Sequence, residues 1–340
     1  MRDVALNVNQ RNWYGWKSIR ITRSIVQIAN DFALGLTDKW SADSLPFEIY
    51  ENEPCSVSID DNIVITGYTD EATHSYDDKN HGIEVTGHDA TIDLVDCSAP
   101  SFQWAGRSLL QGAQELCKPF GIKVRTTVDV SKPFAKLKSD EGESVFEVIQ
   151  NAARIRACLL ISNGLGGLVI TRAGKRRLKG KLELGSNIKV GRQKRSARER
   201  FSRYTVKAQS EKAWTDTSSV SATVEDKAVK RYRPKIILAD NAVDTASCKA
   251  LAIWHRNVAA AKSQAPNYTF LDWYLDGELL EPGVLVPVLD PYLKINRDML
   301  IVTVIYIVDD QGLRAELTLA LPDAFDLTEL PETNDDGGVW

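Results

Sequence analysis

The stretch that decides the fold is Cys55-Ser56-Val57-Ser58-Ile59-Asp60-Asp61-Asn62-Ile63-Val64-Ile65-Thr66-Gly67. Apolar residues alternate with serine from Cys55 to Ile59, three turn-forming residues follow, and an apolar run resumes at Ile63. A two-residue period puts successive side chains on opposite faces of a strand, and Asp and Asn tolerate the dihedrals of a tight reversal. The segment therefore reads as a hairpin with one face buried.

The same grammar extends in both directions. Val4, Leu6 and Val8 alternate with Ala5, Asn7 and Asn9, and residues 16–22 and 47–50 read as further strands. Residues 68–76 and 83–92 face each other across the polar turn Asp77-Asp78-Lys79-Asn80, which sets His74 opposite about Ile83. Short strands broken by regular turn signals predict an antiparallel β-barrel domain over residues 1–98. Composition changes after Pro100. Ser108 with Gln111, and Ser144 with Glu147, form capping boxes that open two helices, the first stopped by Pro119 and Gly121. Residues 122–128 are extended, and residues 158–162 and 168–171 pair around Asn163-Gly164-Leu165-Gly166-Gly167. Residues 99–178 thus form an α/β insert.

A second β-barrel is expected over residues 179–330. A helical insertion near 244–264 interrupts it, with Asp244 as N-cap and Leu251, Trp254, Val258 and Ala261 on one face. Residues 299–308 are too apolar for a surface strand, and 331–340 form a polar, flexible tail. The predicted class is β-rich α+β, with two antiparallel β-barrel domains flanking the insert. With 340 residues, 43% of them hydrophobic, the chain can fill more than one core. No internal repeat is visible at the residue level.

Few chemistries survive this reading. A net charge of −4 rules out bulk attraction to nucleic acid. Five widely spaced cysteines (Cys55, Cys97, Cys117, Cys158, Cys248) in apolar settings read as buried thiols in a reducing compartment. No apolar run reaches the ~20 residues of a membrane helix, so a soluble, cytoplasmically made protein without stable membrane association is expected. His74, His81 and His88 lie on strands without converging, and His255 sits on a helix, so no metal site is expected. The acidic pairs 60–61, 77–78 and 309–310 fall at turns. The glycines at 164, 166 and 167 lack the GK[ST] ending of a phosphate loop. No catalytic residue, cofactor or metal ligand is assigned.

Charge is the outstanding local feature. Residues 172–203 hold thirteen Lys or Arg against Glu183 and Glu199, a net of +11. Residues 305–340 hold nine acids against Arg314, a net of −8. Such polarity suits head-to-tail contacts or an anionic ligand, while a plain solvated loop would look the same. Arg192, Lys194, Arg195, Arg198 and Arg200 are the candidate channel or assembly contacts.

Several stretches together resemble the baseplate hub proteins of Mu-like contractile phage tails, the late-control-D group. They are Gly142-Glu143-Ser144-Val145-Phe146-Glu147-Val148-Ile149-Gln150-Asn151-Ala152-Ala153-Arg154, residues 167–174, and Ser196-Ala197-Arg198-Glu199-Arg200-Phe201-Ser202-Arg203-Tyr204 with Thr205-Val206-Lys207. Trp16 to Ile19 and Phe32 to Leu34 fit as well. The resemblance implies a homotrimer whose two β-barrels per subunit form a near-sixfold ring. That ring would join the tail tube and other baseplate proteins to a central membrane-piercing spike protein, with transient, non-specific DNA contact in its channel. It implies residence in the virion tail after assembly in the host cytoplasm. A hub or spike adaptor of a contractile injection or type VI secretion-like machine shares this architecture. A tail-associated cell-wall hydrolase would need a lysozyme-like or Cys/His peptidase segment, and none is visible.

Overall fold

The computed structural model describes residues 2–37, 49–76, 78, 81–134, 137–174, 176–209, 219–238 and 245–325. Phe47 and Glu48 of one expected strand, the Asp244 cap and the 331–340 tail lie outside them.

The first half is built from β1 (Val4–Val8), β2 (Arg11–Trp13), β3 (Ser18–Ser24), β4 (Asp31–Thr37), β5 (Pro54–Ile59), β6 (Asn62–Tyr76) and β7 (His81–Asp89). Alternation in sequence becomes alternation in burial: Val4, Leu6 and Val8 point into the core, as do Cys55, Val57 and Ile59. The β5–β6 hairpin forms as the opening stretch predicts, with Asp60 at φ 50 in its turn. In the β6·β7 pairing His74 stands opposite Ile83. The second strand of that pair ends at Asp89, earlier than the sequence suggests, because Ile92 already opens a short helix, α1 (Ile92–Asp96).

The chain continues with α2 (Leu109–Cys117), β8 (Val124–Thr126), α3 (Val145–Ile155), β9 (Leu159–Ser162) and β10 (Leu168–Thr171). Both capping boxes are formed, each Ser side chain accepting from the N3 backbone and each N3 side chain accepting from the Ser backbone. Trp104 anchors a separate core, its ring 5.3 Å from both Phe102 and Phe134 in edge-on packing. The Gly-rich turn is a hairpin. Asn163 Oδ1 accepts from Leu165 and Gly167, while Thr66 of β6 donates to the Gly164 carbonyl. Gly164 approaches β6 so closely that a Cβ there would lie 2.5 Å from the Val64 carbonyl oxygen.

The second half opens with β11 (Leu182–Glu183) and β12 (Ile188–Gln193). A side unit follows, in which β13 (Arg203–Gln209), β14 (Ser219–Glu225) and β15 (Pro234–Leu238) form a small sheet covered by α4 (Thr245–Lys262). The chain then returns through β16 (Pro266–Phe270), β17 (Tyr274–Leu275), β18 (Glu278–Leu279), β19 (Leu285–Asp290), β20 (Ile295–Asp309) and β21 (Gly312–Ala320). β20 is central, and Met299, Leu300, Ile301 and Val302 in its middle are all buried, as their apolar run requires.

The class is β-rich, with few helices, and most strands join one large sheet. Its order is β12-β16-β21-β20-β3-β4-β7-β6-β5-β1-β2, with β19 beside β20 and β11 beside β19. Both halves share this sheet through the β3·β20 pairing, and one core cluster runs through both. Among the described residues no pairing closes the path from β12 back to β2.

Within that sheet the two halves repeat each other. The first has the order β5-β6-β7-β4-β3, the second β19-β20-β21-β16-β12, with every neighbouring pair antiparallel. Both long hairpins carry a bulge at the matching position, Asp70 in β6 and Val302 in β20. Thr69 exchanges backbone hydrogen bonds with Asn52 and Glu53, and Ile301 with Gly283 and Val284, in the same pattern. Aligned by register, Arg20-Ile21-Thr22-Arg23-Ser24 matches Arg192-Gln193-Lys194-Arg195-Ser196, and Glu84 matches Glu316. The repeat therefore exists in hydrogen-bond pattern, with only scattered identities left in sequence.

Candidate assembly surface

The basic stretch does not act as one block, because tertiary partners divide it. Arg176 pairs with Glu281 at 2.9 Å, Arg177 with Asp298 at 2.8 Å, and Arg203 with Glu225 at 3.0 Å. Lys181 pairs with Glu183 at 2.8 Å, and Arg172 donates to the carbonyls of Ala157 and Arg156. Glu281, Asp298 and Glu225, which lie outside the stretch, offset three of its +11 charges. Lys189, Arg192, Lys194 and Arg198 hold no ion pair among the described residues. The remaining positive field is concentrated on β12 and the segment after it.

Of the five candidate residues, Arg192, Lys194, Arg195 and Arg198 are exposed along that segment. Arg195 donates to Gln193 Oε1 at 2.9 Å and to the Leu293 carbonyl at 3.1 Å. Arg200 turns inward. Its guanidinium grips Asp226 through two bonds of 2.6 and 3.2 Å and also donates to Ser263. Burial pushes the Asp226 carboxyl upward, but the Arg200 bonds outweigh it and hold the group below the usual carboxylate range. Arg233 fans across the carbonyls of Ala197, Arg198 and Arg200, fixing the route of the chain from β12 to β13. Together they frame a cleft of about 540 Å³, lined by Arg195, Lys230, Arg231 and Arg233 on the basic side and by Ser263 and Gln264 at the end of α4.

The acidic counterpart lies on the other half, and the sequence reading passes over it. Beyond the bulge, β6 continues past Tyr68, where β5 ends, and exposes Glu71, Thr73 and Ser75 on one face. Thr73 is opposite Glu84 of β7, also exposed. The signal was readable in the way residues 70–76 lose the apolar alternation of 63–69 while staying extended. Of the acids in residues 305–340, those from Asp326 onward lie outside the described residues. Asp309 is held by Arg314 at 2.7 Å, which with the Gln311 backbone lowers its carboxyl to about 2.

Other candidates are structural in their surroundings. His88 contacts Asp70 across the bulge, and His255 packs edge-on against Trp254, where burial lowers its basicity. No group of three potential metal ligands occurs among the described residues. All five cysteines are free thiols. Cys97 departs from the expected buried setting: it caps α1 at the surface, one turn beyond the buried Leu94. No described helix is long and apolar enough to cross a membrane.

The chain is 32% identical to the baseplate hub protein gp44 of Escherichia phage Mu, over 95% of this chain and 88% of that protein. The chain belongs to the baseplate hub family of Mu-like phages. Family models match in succession: the GpP-like N-terminal domain of the Mu baseplate assembly protein over residues 3–89, the gp44-like second domain over 91–172, and the GpP fourth domain over 244–328. No enzyme family appears among these matches. The 43 kDa tail protein of prophage MuSo2 from Shewanella oneidensis is similar at a TM-score of 0.87 and 35% identity, over 96% of this chain and all of that one. The E. coli c3393 protein, a type VI secretion component, shares the fold at a TM-score of 0.56 and 10% identity, over 93% of this chain and 76% of that one.

Proposed function

We propose that the chain is the structural, non-enzymatic hub of a contractile tail's baseplate. Three copies form a ring that joins the tail tube to the central spike and lets DNA pass. The observation that carries this reading is the repeat inside the sheet. One chain supplies two similar five-strand units joined edge to edge by β3·β20, so three chains supply six. A ring of that kind can face a sixfold tube on one side and a threefold spike on the other. Each unit completes a β-barrel domain in the assembled ring, over residues 1–98 and 179–330, with residues 99–178 and the α4 unit outside it.

Arg192, Lys194, Arg195 and Arg198 serve assembly or line the channel, while Arg200 holds their segment in place. Contact with DNA is then transient, because a passing duplex must slide. Binding should be sequence-blind and fall steeply with salt, and nanomolar sequence-dependent binding at physiological salt would count against the reading. The protein would assemble in the host cytoplasm and reside in the virion tail. Electron micrographs of the purified protein test the proposal. End-on views should show a closed ring with a central channel and six similar densities; filaments or solid particles would refute it. The fold shared with the type VI secretion component favours a spike adaptor of an injection machine as the second reading. Tail-tube and tape-measure genes beside this one would decide for the phage tail.

A further inference from the structure

Inside the chain, the two repeated units meet where β3 of the first pairs with β20 of the second, Ser24 to Ile19 against Thr303 to Val308. The repeat assigns each strand a counterpart: β12 stands for β3, and β6 stands for β20. Among the described residues β12 ends the sheet at one side. β6 has the same stagger as β20. β5 covers its first part to Tyr68, as β19 covers β20 to Leu300, and among the described residues the remainder pairs with β7, as β20 beyond Leu300 pairs with β21.

We infer that β12 of one copy pairs antiparallel with the outer part of β6 of the next copy, reproducing between chains the β3·β20 junction within the chain. The partner is a second copy of this protein, and the inference rests on the ring reading above. The register follows by transfer through the matched bulges and pairings. Glu71 would oppose Ser196, Ala72 Arg195, Thr73 Lys194, His74 Gln193, Ser75 Arg192 and Tyr76 Gly191. Such a contact is heterologous, one surface meeting a different one, which is the kind that closes into rings.

Three independent features agree with this pairing. Charge is complementary: Lys194 becomes the diagonal neighbour of Glu71, with Glu84 one strand beyond Thr73 on the same face, and diagonal neighbours lie within reach of long side chains. The segments are exposed now, Glu71, Thr73 and Ser75 on one side and Arg192, Lys194 and Arg195 on the other. Identity is retained where the internal junction uses it. Ser24 bonds Thr303 across β3·β20 at 2.8 Å and Arg23 reaches Glu281 at 3.4 Å, and Ser196 and Arg195 occupy their counterpart positions. An edge strand that would otherwise invite unspecific pairing is thereby given one partner.

The internal junction also says which residues to cross-link. Ile25 donates to the Val302 carbonyl at 3.0 Å, which makes that pair hydrogen-bonded and Thr22–Ile305, three residues along, a non-hydrogen-bonded pair. Its counterpart is Lys194–Thr73. Non-hydrogen-bonded pairs bring Cα atoms to about 4.5 Å, within disulfide range. With Cys97→Ser as background, Thr73→Cys with Lys194→Cys should oxidise to a ladder ending at a closed covalent trimer that reductant collapses. Ser75→Cys with Lys194→Cys, one register step off, should not. Both sites are exposed, so folding is not at risk, and an uncross-linked charge test stands beside them. Lys194→Glu should weaken association roughly three- to tenfold, and adding Glu71→Lys should restore it. A sample with trimer mass but neither the disulfide nor the charge rescue would overturn the strand pairing and leave the ring. A monomer at about 100 µM that also fails to cross-link would overturn both.

Discussion

Replacing Asp226 by Asn leaves the shape of the Arg200 site and removes its charge. The two side chains are only 16% and 7% exposed, and the guanidinium makes both bonds to one carboxylate. Removing one partner of a buried pair costs about 3–5 kcal/mol, chiefly because the other charge is left desolvated. Arg200 keeps its bond to Ser263 and some access to solvent, so the lower end, about 3 kcal/mol, applies here. Asp226 also accepts from the Ala228 backbone, and the loss falls on the small core of Tyr204, Val206, Cys248 and Ala252. Hydrogen exchange should therefore show the β13 amides opening roughly a hundredfold more often, at about 1.4 kcal/mol per decade, with β20 unchanged. The pH dependence has a definite sign. The folded carboxyl lies below its unfolded value, so its stabilisation is complete above about pH 4 and disappears as pH falls through the folded value. Asp226→Asn should lose that acid-dependent component. A cost under about 1 kcal/mol, or faster exchange spread equally over the main sheet, would refute the view that this pair holds the β12–β13 segment.

Two further outcomes follow from packing. Gly112 of α2 lies against Trp104, and a Cβ there would stand 2.2 Å from the indole, which Phe102 and Phe134 hold from other sides. Gly112→Ala should destabilise the core around Trp104 by about 2 kcal/mol in urea titration despite the gain in helix propensity, and a stabilised variant would contradict the packing. Among the thiols, Cys97 alone is exposed, while burial pushes Cys55 and Cys117 up to about 12. Iodoacetamide should label Cys97 first in the native protein and all five after denaturation without reductant; a pair that needs reduction would be a disulfide.

Local signals in the sequence were enough for most elements. Ser108 and Ser144 open helices because hydroxyl and N3 side chain answer each other within four residues, and the 55–67 stretch forms its hairpin from alternation and turn chemistry alone. Long-range organisation was not legible. The repeat survives as register, and Arg20, Arg23 and Ser24 are too few to show it against Arg192, Arg195 and Ser196 without the pairing that aligns them. Charge counting misled in the same way. The partners that neutralise Arg177 and Arg176 lie more than a hundred residues away, so a basic run in sequence becomes a short basic edge in space. The strand Ser219–Glu225 also escapes the sequence reading, although Val220, Ala222 and Val224 alternate, because small hydroxyl residues fill the positions between them.

Sedimentation equilibrium at physiological salt and tens of micromolar protein tests the central claim most directly. The account predicts a single species of three times the 37.8 kDa chain, loosening as salt rises because exposed charge contacts are screened beyond about 8 Å. A strict monomer across that range would leave only trimerisation induced by assembly, and a stable dimer would contradict the account outright.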